Sequence, residues 1–472
     1  MALYTNRQQV DFPYIAIKFK DTEEYIVSGK DTCFISLTHK RKVEKANQVE
    51  IHLQFAPGST QLYTEADRFE KSLVGHASEL IFDYGYVNTS HLSYETLITD
   101  YTLSMNGGFL EYTLSGISEI TASNYTPVNF IYPLEDEEST KSIKNLVARL
   151  NTIVETEYNQ VIEQNQDNQL GLRTTYTVVL DENVDESQFN LNGIDSMTPI
   201  NVSDTSLMGL IRAVIKKINA SQDPSQVTFL TVYLQEDSDI NPKKIVIKQE
   251  EFSVGSSENF AAKYEFYWNH RDGNVLSWSP SYSGKVAIFG FRNQEVSYLN
   301  PYTGGYQSYS PKIYMPTVPQ NVSEAEADSA YNRLENWWAE MKRLPYKATL
   351  EVIGNPDIDC LLADYIKVQA YLGTDLHHSS GIYMITGITD TISTQGFLTS
   401  YELLKRDAIK EEVWVPVSAK STLTSTAPVI KTDGMPERPA LSNTTKPQTR
   451  YKQAGVTSKY TNKGVSDIER IN

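Results

Sequence analysis

The feature that most constrains this chain is a hairpin that occurs twice. Early on, 97–104 runs into Asn106-Gly107-Gly108 and leaves as 109–114; late in the chain, 382–392 turns through Thr394-Gln395-Gly396 into 397–404. The first hairpin opens on Ile98-Thr99-Asp100 and leaves its turn on Gly108-Phe109-Leu110. The second opens on Ile388-Thr389-Asp390 and leaves on Gly396-Phe397-Leu398. Alternating runs bounded by Gly and Asn are the mark of antiparallel hairpins. Further strands precede each one: 49–55 and 79–86 before the first, 349–353 and 365–371 before the second. The strand 349–353 is stopped by Gly354-Asn355-Pro356. Four such strands with short turns make a small barrel or sandwich. Two matching sets imply an internal duplication of one β-domain.

The 472 residues suit about three domains at roughly 150 residues each. Between the two β sets lies a mixed segment. An acidic run, Glu135 to Glu138, precedes a helix capped by Ser139 or Thr140. Its apolar stripe is Ile143, Leu146, Val147, Leu150, Val154, Tyr158 and Val161. A second helix, capped by Asp204 or Thr205, carries Leu207, Leu210, Ile211, Val214, Ile215 and Ile218. Strands are expected at 172–180, 227–234 and 245–248, with a polar loop over 181–202. A third helix, 323–343, opens with a capping box at Ser323 and Glu326.

The fold class expected is therefore α+β and β-dominated, with two similar small antiparallel barrels. The domain plan places the first barrel at 1–128 and the α+β insert at 129–262. A β-rich connecting segment, 263–322, contributes to the second half; the second barrel, with its helix, spans 323–412. Residues 413–472 are an extended polar tail: from 415 onward nine basic and four acidic residues give 9 − 4 = +5.

Charge and chemistry exclude several functions. The formal charge of −17 argues against binding nucleic acid by electrostatics. Two cysteines, Cys33 and Cys360, suit neither a disulfide scaffold nor a Cys-rich zinc site and read as free thiols. His377-His378 falls in a hairpin loop; on a strand the adjacent side chains would point apart, which fits no common zinc pattern. The basic run 39–45 reads as a solvated connection before the strand at 49–55. Glu135 to Glu138 lacks the alternating spacing of a calcium loop. No phosphate loop, G-x-S-x-G or H-E-x-x-H occurs. The reading is of a non-enzyme with no catalytic, cofactor-binding or metal residues and no cofactor. No apolar stretch approaches a membrane span or a signal core, so a protein made in a cytoplasm is expected.

The stretch 323–407 carries a family likeness. A helix runs into Ala348-Thr349-Leu350-Glu351-Val352-Ile353-Gly354-Asn355-Pro356. Then come Tyr365-Ile366-Lys367-Val368 and the closing Gly381-Ile382-Tyr383-Met384-Ile385, Ile388, and Gly396-Phe397-Leu398-Thr399. This order resembles the baseplate hub proteins of contractile bacteriophage tails and related injection systems. Asp390 stands where that family often has His, and Ala363 where a Gly usually precedes the second strand. The resemblance implies a homotrimer, each copy carrying two tube-type barrels, so that three chains imitate sixfold geometry. Its implied partners are a hexameric tail tube above and a trimeric central spike below, with tape measure and baseplate wedge proteins nearby. DNA would pass through the channel without specific binding, and the protein would reside in the virion tail baseplate. The alternative is a tail-associated lysin carrying a cell-wall hydrolase on a hub module; the tail after 413 is short and poor in apolar residues for such a domain. A weaker third is a carbohydrate-binding adhesin on the aromatic-rich 264–306.

Overall fold

A computed structural model describes residues 2–3, 12–20, 25–28, 33–55, 78–88, 90–120, 128–132, 142–164, 174–189, 191, 200–221, 229–250, 262–271, 273–282, 296–299, 306–309, 346–358 and 360–406. A first β unit comprises β1 (Ala2–Leu3), β2 (Pro13–Phe19), β3 (Tyr25–Ser28), β4 (Phe34–Lys42), β5 (Gln48–Phe55), β6 (Ser78–Tyr86), β7 (His91–Asn106) and β8 (Phe109–Ile117). An insert follows, with β9 (Val128–Tyr132), helix α1 (Ile143–Val154) and β10 (Tyr176–Leu180), then β11 (Ile200–Thr205), helix α2 (Leu207–Ser221), β12 (Phe229–Gln235) and β13 (Lys243–Glu250). Next come β14 (Tyr264–Trp268), β15 (Ser277–Tyr282) and a small hairpin of β16 (Val296–Leu299) and β17 (Tyr306–Tyr309). The chain continues through β18 (Tyr346–Ile353), β19 (Tyr365–Leu372), β20 (Asp375–Leu376), β21 (Gly381–Ser393) and β22 (Gly396–Lys405). The expected helix at 323–343, the acidic run 135–138 and the tail 413–472 lie outside the described residues.

The two β units share a plan. The first is ordered β4-β5-β8-β7-β6 and the second β15-β18-β22-β21-β19, and every neighbouring pair in both is antiparallel. The strands also follow in the same chain order. Each hairpin carries one bulge on its first strand, between Ile98 and Asp100 in one and between Ile385 and Gly387 in the other. Both bulges sit seven residues before the last paired residue, Asn106 or Ser393. That register equates Ile98-Thr99-Asp100 with Ile385-Thr386-Gly387, and Phe109 with Gly396. The sequence match to Ile388-Thr389-Asp390 and to Phe397 is therefore out of register. A bulge inserts one unpaired residue and flips the alternation beyond it, which side-chain matching does not detect. Beyond the five shared strands the units diverge: β2 joins β6 antiparallel, whereas β14 joins β19 parallel.

Alternation explains the cores. In β5, Val49, Ile51, Leu53 and Phe55 point inward; in β18, Tyr346, Ala348, Leu350 and Val352 do. The first unit's core also takes in Ile392 and Phe397 from the second. Among the described residues neither unit closes into a barrel by itself. Among the described residues they form one open, 15-stranded sheet, joined where β4 pairs with β21.

In the insert, Ile143, Leu146, Val147, Leu150 and Val154 of α1, and Leu207, Leu210, Ile211, Val214, Ile215 and Ile218 of α2, enter a single core with the three-stranded sheet β10-β13-β12. The caps fall later than the sequence suggests. Ser142 Oγ accepts from the Asn145 N–H at 3.1 Å, and Ser206 Oγ from the Gly209 N–H at 3.1 Å. Ile200–Thr205 is a strand against β9, with Thr205 paired to Val128 across an irregularity after Val202, so the strand runs up to the Ser206 cap.

Gly354 ends β18 beneath the Phe397 ring; a Cβ there would lie 2.3 to 2.5 Å from ring carbons. Its N–H donates to the Phe397 carbonyl at 2.8 Å, and its own carbonyl accepts from Tyr86 OH of the first unit at 3.0 Å. Ala363, where a Gly was expected, has φ of +62°, the left-handed backbone that Gly adopts at no steric cost. Gly354→Ala is expected to destabilise the protein by about 1–3 kcal/mol through overpacking against Phe397, read as a lower urea midpoint at unchanged m-value.

Candidate functional site: the seam between the two β units

β21 is the shared strand. One edge carries β22 along most of its length. The other edge is divided: Gly381 to Met384 pairs with β19, and Gly387 to Ser393 with β4 of the first unit. The bulge at Thr386 marks the handover. There the Val43 N–H donates to the Thr386 carbonyl at 3.0 Å, and Thr386 Oγ1 donates to the Glu402 carbonyl at 3.1 Å. Lys42 forms an ion pair with Glu402 beside it.

A buried polar cluster crosses this seam. Asp390 Oδ2 accepts from Arg41 Nη2 at 2.5 Å and from Tyr84 OH at 2.7 Å, and Oδ1 accepts from Thr399 Oγ1 at 2.7 Å. Arg41 Nη1 donates to Tyr94 OH at 2.5 Å, and the guanidinium lies 4.9 Å from the centre of the Tyr94 ring. His39 Nδ1 is 3.2 Å from Tyr84 OH. Arg41 is 9% exposed and Asp390 1%, so both charges are desolvated and depend on each other. Burial disfavours the arginine charge, yet Tyr94, Tyr84 and Asp390 hold the group protonated. Burial, then the nearby Arg41 charge, pushes His39 well below the ordinary imidazole range, so it is neutral. Burial and Asp390 raise Tyr84. Every group here is engaged in holding strands together, and Asp390 is spent on three donors.

A polar cleft of about 650 Å³ opens over the cluster, lined by Arg41, Tyr94, Asp237, Asn355 and Asp390 among others. Beside it the insert docks on the first unit. The Glu44 N–H donates to the Val232 carbonyl at 2.7 Å. Glu236 accepts from Asn47 Nδ2, Ser118 Oγ and Tyr176 OH, each at 2.6 Å. Lys20 reaches Glu79 at 2.9 Å and Glu95 at 3.0 Å, and Glu95 lies 3.5 Å from Lys243. Burial raises the Glu236 carboxyl to about 7, against the lowering effect of its three donors.

Several sequence expectations change. The basic run 39–45 is no solvated connection: 39–42 belongs to β4, His39 and Arg41 are buried, and Lys42 is paired. The alternation of His39 and Arg41 with Lys40 and Lys42 was the available signal. Asp390, a member of the repeated triplet and a departure from a family pattern, sits at the cluster's centre. His377 and His378 do not point apart; their rings lie 3.8 Å apart because the residues turn rather than extend. His377 Nδ1 is 2.8 Å from Ser379 Oγ, which also accepts from Trp278 Nε1 at 3.0 Å. Burial, then His377 and Lys405, pushes His378 down to about 4. Cys360 is buried and Cys33 half-buried, and neither is in a disulfide. Among the described residues, no group of three or more His, Cys, Asp or Glu is placed to hold a metal ion, and no helix is long and apolar enough to cross a membrane.

Asp390→Ala leaves a buried guanidinium without its counter-charge and is expected to cost about 3–5 kcal/mol. The double variant Arg41→Met/Asp390→Leu should lose clearly less than the single one in urea titrations. Glu236 gives a pH signature. Its folded pKa of about 7 lies above the unfolded value near 4.5, so the folded state holds the proton more tightly. Its contribution is fully present below pH ~4.5 and is lost as pH rises through ~7, a span of about 3 kcal/mol. Glu236→Gln should flatten the stability–pH curve between those limits, measured by chemical denaturation at several pH values.

No family model and no curated protein matches the chain. Among solved structures, a tail protein from Neisseria meningitidis MC58 is similar at 10% identity, covering 86% of this chain and 98% of its own, with a TM-score of 0.48. A 43 kDa tail protein of prophage MuSo2 from Shewanella oneidensis is similar at 13% identity, covering 84% and 99%, with a TM-score of 0.47. The E. coli c3393 protein is a component of the type VI secretion system with structural similarity to the T4 bacteriophage tail proteins gp27 and gp5. It is similar at 10% identity, covering 84% and 78%, with a TM-score of 0.40.

Proposed function

We propose that this chain is a structural hub of a phage-type tail baseplate, acting as a homotrimer between a hexameric tail tube and a trimeric central spike. The observation that carries this reading is the repeated five-strand order with its bulge at the same place in both hairpins. One copy holds two like units, so three copies present six. A threefold assembly of that kind meets a sixfold ring on one side and a threefold spike on the other without symmetry mismatch. The seam supports the same reading, since a hub that transmits load needs its two units fixed relative to each other. Continuous backbone pairing and a buried ion pair do that better than a flexible linker.

In this role 1–128 and 323–412, the latter with strands contributed by 263–322, are tube-type barrels completed by assembly, and 129–262 braces them from one side. The net charge of −17 suits a passage for DNA, because carboxylates repel phosphates and prevent adhesion during transit. The seam cluster acts structurally and performs no chemistry. In the particle the protein sits at the baseplate.

Three copies of the 53.3 kDa chain have a mass of about 160 kDa (3 × 53.3). Light scattering and native mass spectrometry should find that species, alone or with the spike protein added. A chain that stays at 53.3 kDa under both conditions would refute the trimer.

A further inference from the structure

The insert is fastened to its two neighbours by different means. On the second unit's side the join is apolar and charge-balanced. Tyr233 of β12 and Val246 of β13 enter that unit's core. Lys248 pairs with Asp364 at 2.9 Å, and Arg406 forms a buried ion pair with Glu250. Toward the first unit, among the described residues, the apolar cores do not cross. The first unit's core takes no side chain from 128–250, and the insert's own core takes only Ile120 from before that segment.

What crosses that junction is polar. Three amides donate over it: Glu44 to the Val232 carbonyl at 2.7 Å, Ser238 to the Ser93 carbonyl at 2.9 Å, and Thr174 to a carboxylate oxygen of Glu119 at 2.9 Å. Four largely buried carboxylates, Glu79, Glu95, Glu119 and Glu236, gather there around two ammonium groups. Lys20 lies 2.9 Å from Glu79, 3.0 Å from Glu95 and 4.0 Å from Glu119, and Lys243 lies 3.5 Å from Glu95. Glu236 is 5% exposed and has no cation as partner among the described residues; it accepts only from the neutral groups Asn47, Ser118 and Tyr176. The remaining groups that face it give no relief. Glu119 is a like charge. Burial first, and then these carboxylates, hold Tyr158 and Tyr176 neutral. Asp237, next in the chain, interacts with Arg41 and Tyr94. A buried carboxylate without a counter-charge is costly, so it either keeps a proton or leaves the site.

We propose that this junction is a proton-operated latch: with Glu236 protonated the insert is clamped to the first unit, and with Glu236 ionised its hold there loosens while its attachment to the second unit stays. The docked carboxyl keeps its proton up to about pH 7, whereas in water it releases it near 4.5. The docked value is the raised one, so the contribution of Glu236 to docking is complete below about 4.5, weakens as pH rises, and levels off above about 7. A separation of about 2.5 pH units caps the change in the docking equilibrium at roughly 300-fold. Below about pH 5 ordinary carboxylates begin to take up protons, which would undo the ion pairs of Lys20 and Lys243, so pH 5 is the acid limit for reading the latch. The latch lies within one copy and does not depend on the trimer.

The test is amide exchange of the full chain at pH 5 and pH 8, expressed as protection factors so that the intrinsic pH dependence of exchange cancels. Protection of the crossing amides of Glu44, Thr174 and Ser238 should fall at least about tenfold from pH 5 to pH 8, while 387–393 of the seam keeps its protection. In Glu236→Gln the fall should vanish, because an amide does not ionise. Ser118→Ala removes a donor that favours the ionised form, so it should extend the fall to higher pH, and it decides the matter if Glu236→Gln does not fold. Equal protection at the two pH values overturns the latch, as does an unchanged pH profile in Ser118→Ala. A fall that persists in Glu236→Gln also overturns it. So does one shared equally by 387–393, which would be a loosening of the whole chain.

Discussion

Pairing of β4 with β21 is the constraint on which the rest depends. Without it the molecule would be two small sheets with an insert between them. With it, the two sheets are one surface, and their angle is fixed by backbone hydrogen bonds rather than by a linker. The buried Arg41–Asp390 pair enforces the register of this join. A slip of one residue would carry Asp390 to the opposite face and strand Arg41 in an apolar core. Burying ions is a poor way to gain stability and a good way to exclude alternatives, and a seam between two similar units has many alternatives to exclude. Phe397 and Gly354 do complementary work by shape: the ring fills the space a side chain would need.

The insert is attached by polar contacts of another kind. Glu236 gathers one donor from the first unit's β4–β5 connection, one from the residue after β8 and one from β10. The insert is thus tied to the first unit at the same end as the seam. The three elements of the chain meet around the polar cleft, and a displacement of any one of them must break hydrogen bonds held by the other two.

Much of this was legible in the sequence, for identifiable reasons. The helical stripes of α1 and α2 repeat at 3.6-residue spacing, and the strands of both hairpins alternate cleanly, so element type and the duplication both show. Caps moved by one to three residues, since Ser142 and Ser206 compete with equally good hydroxyl and carboxylate neighbours. The repeat was found in the wrong register because Ile385-Thr386 and Ile388-Thr389 offer two near-identical matches three residues apart, and only the bulge chooses between them. The seam was not legible at all. Its decisive contact joins residues 349 positions apart; the alternation of His39 and Arg41 with Lys40 and Lys42 signals a covered face of β4 but not that the cover is a strand from the other end of the chain.

That distance has a consequence for how the chain matures. The first unit's core is completed by Ile392 and Phe397, which leave the ribosome long after β2 through β8. Until they arrive, β4 has a bare edge and an uncovered charged pocket. The amino-terminal half must therefore wait, partly assembled and prone to pairing with the wrong strand, for the last hairpin to be synthesised. Slow non-local closure of this sort leaves unfinished chains open to early association, and loss of β21 removes part of the first unit's core as well as its own strand.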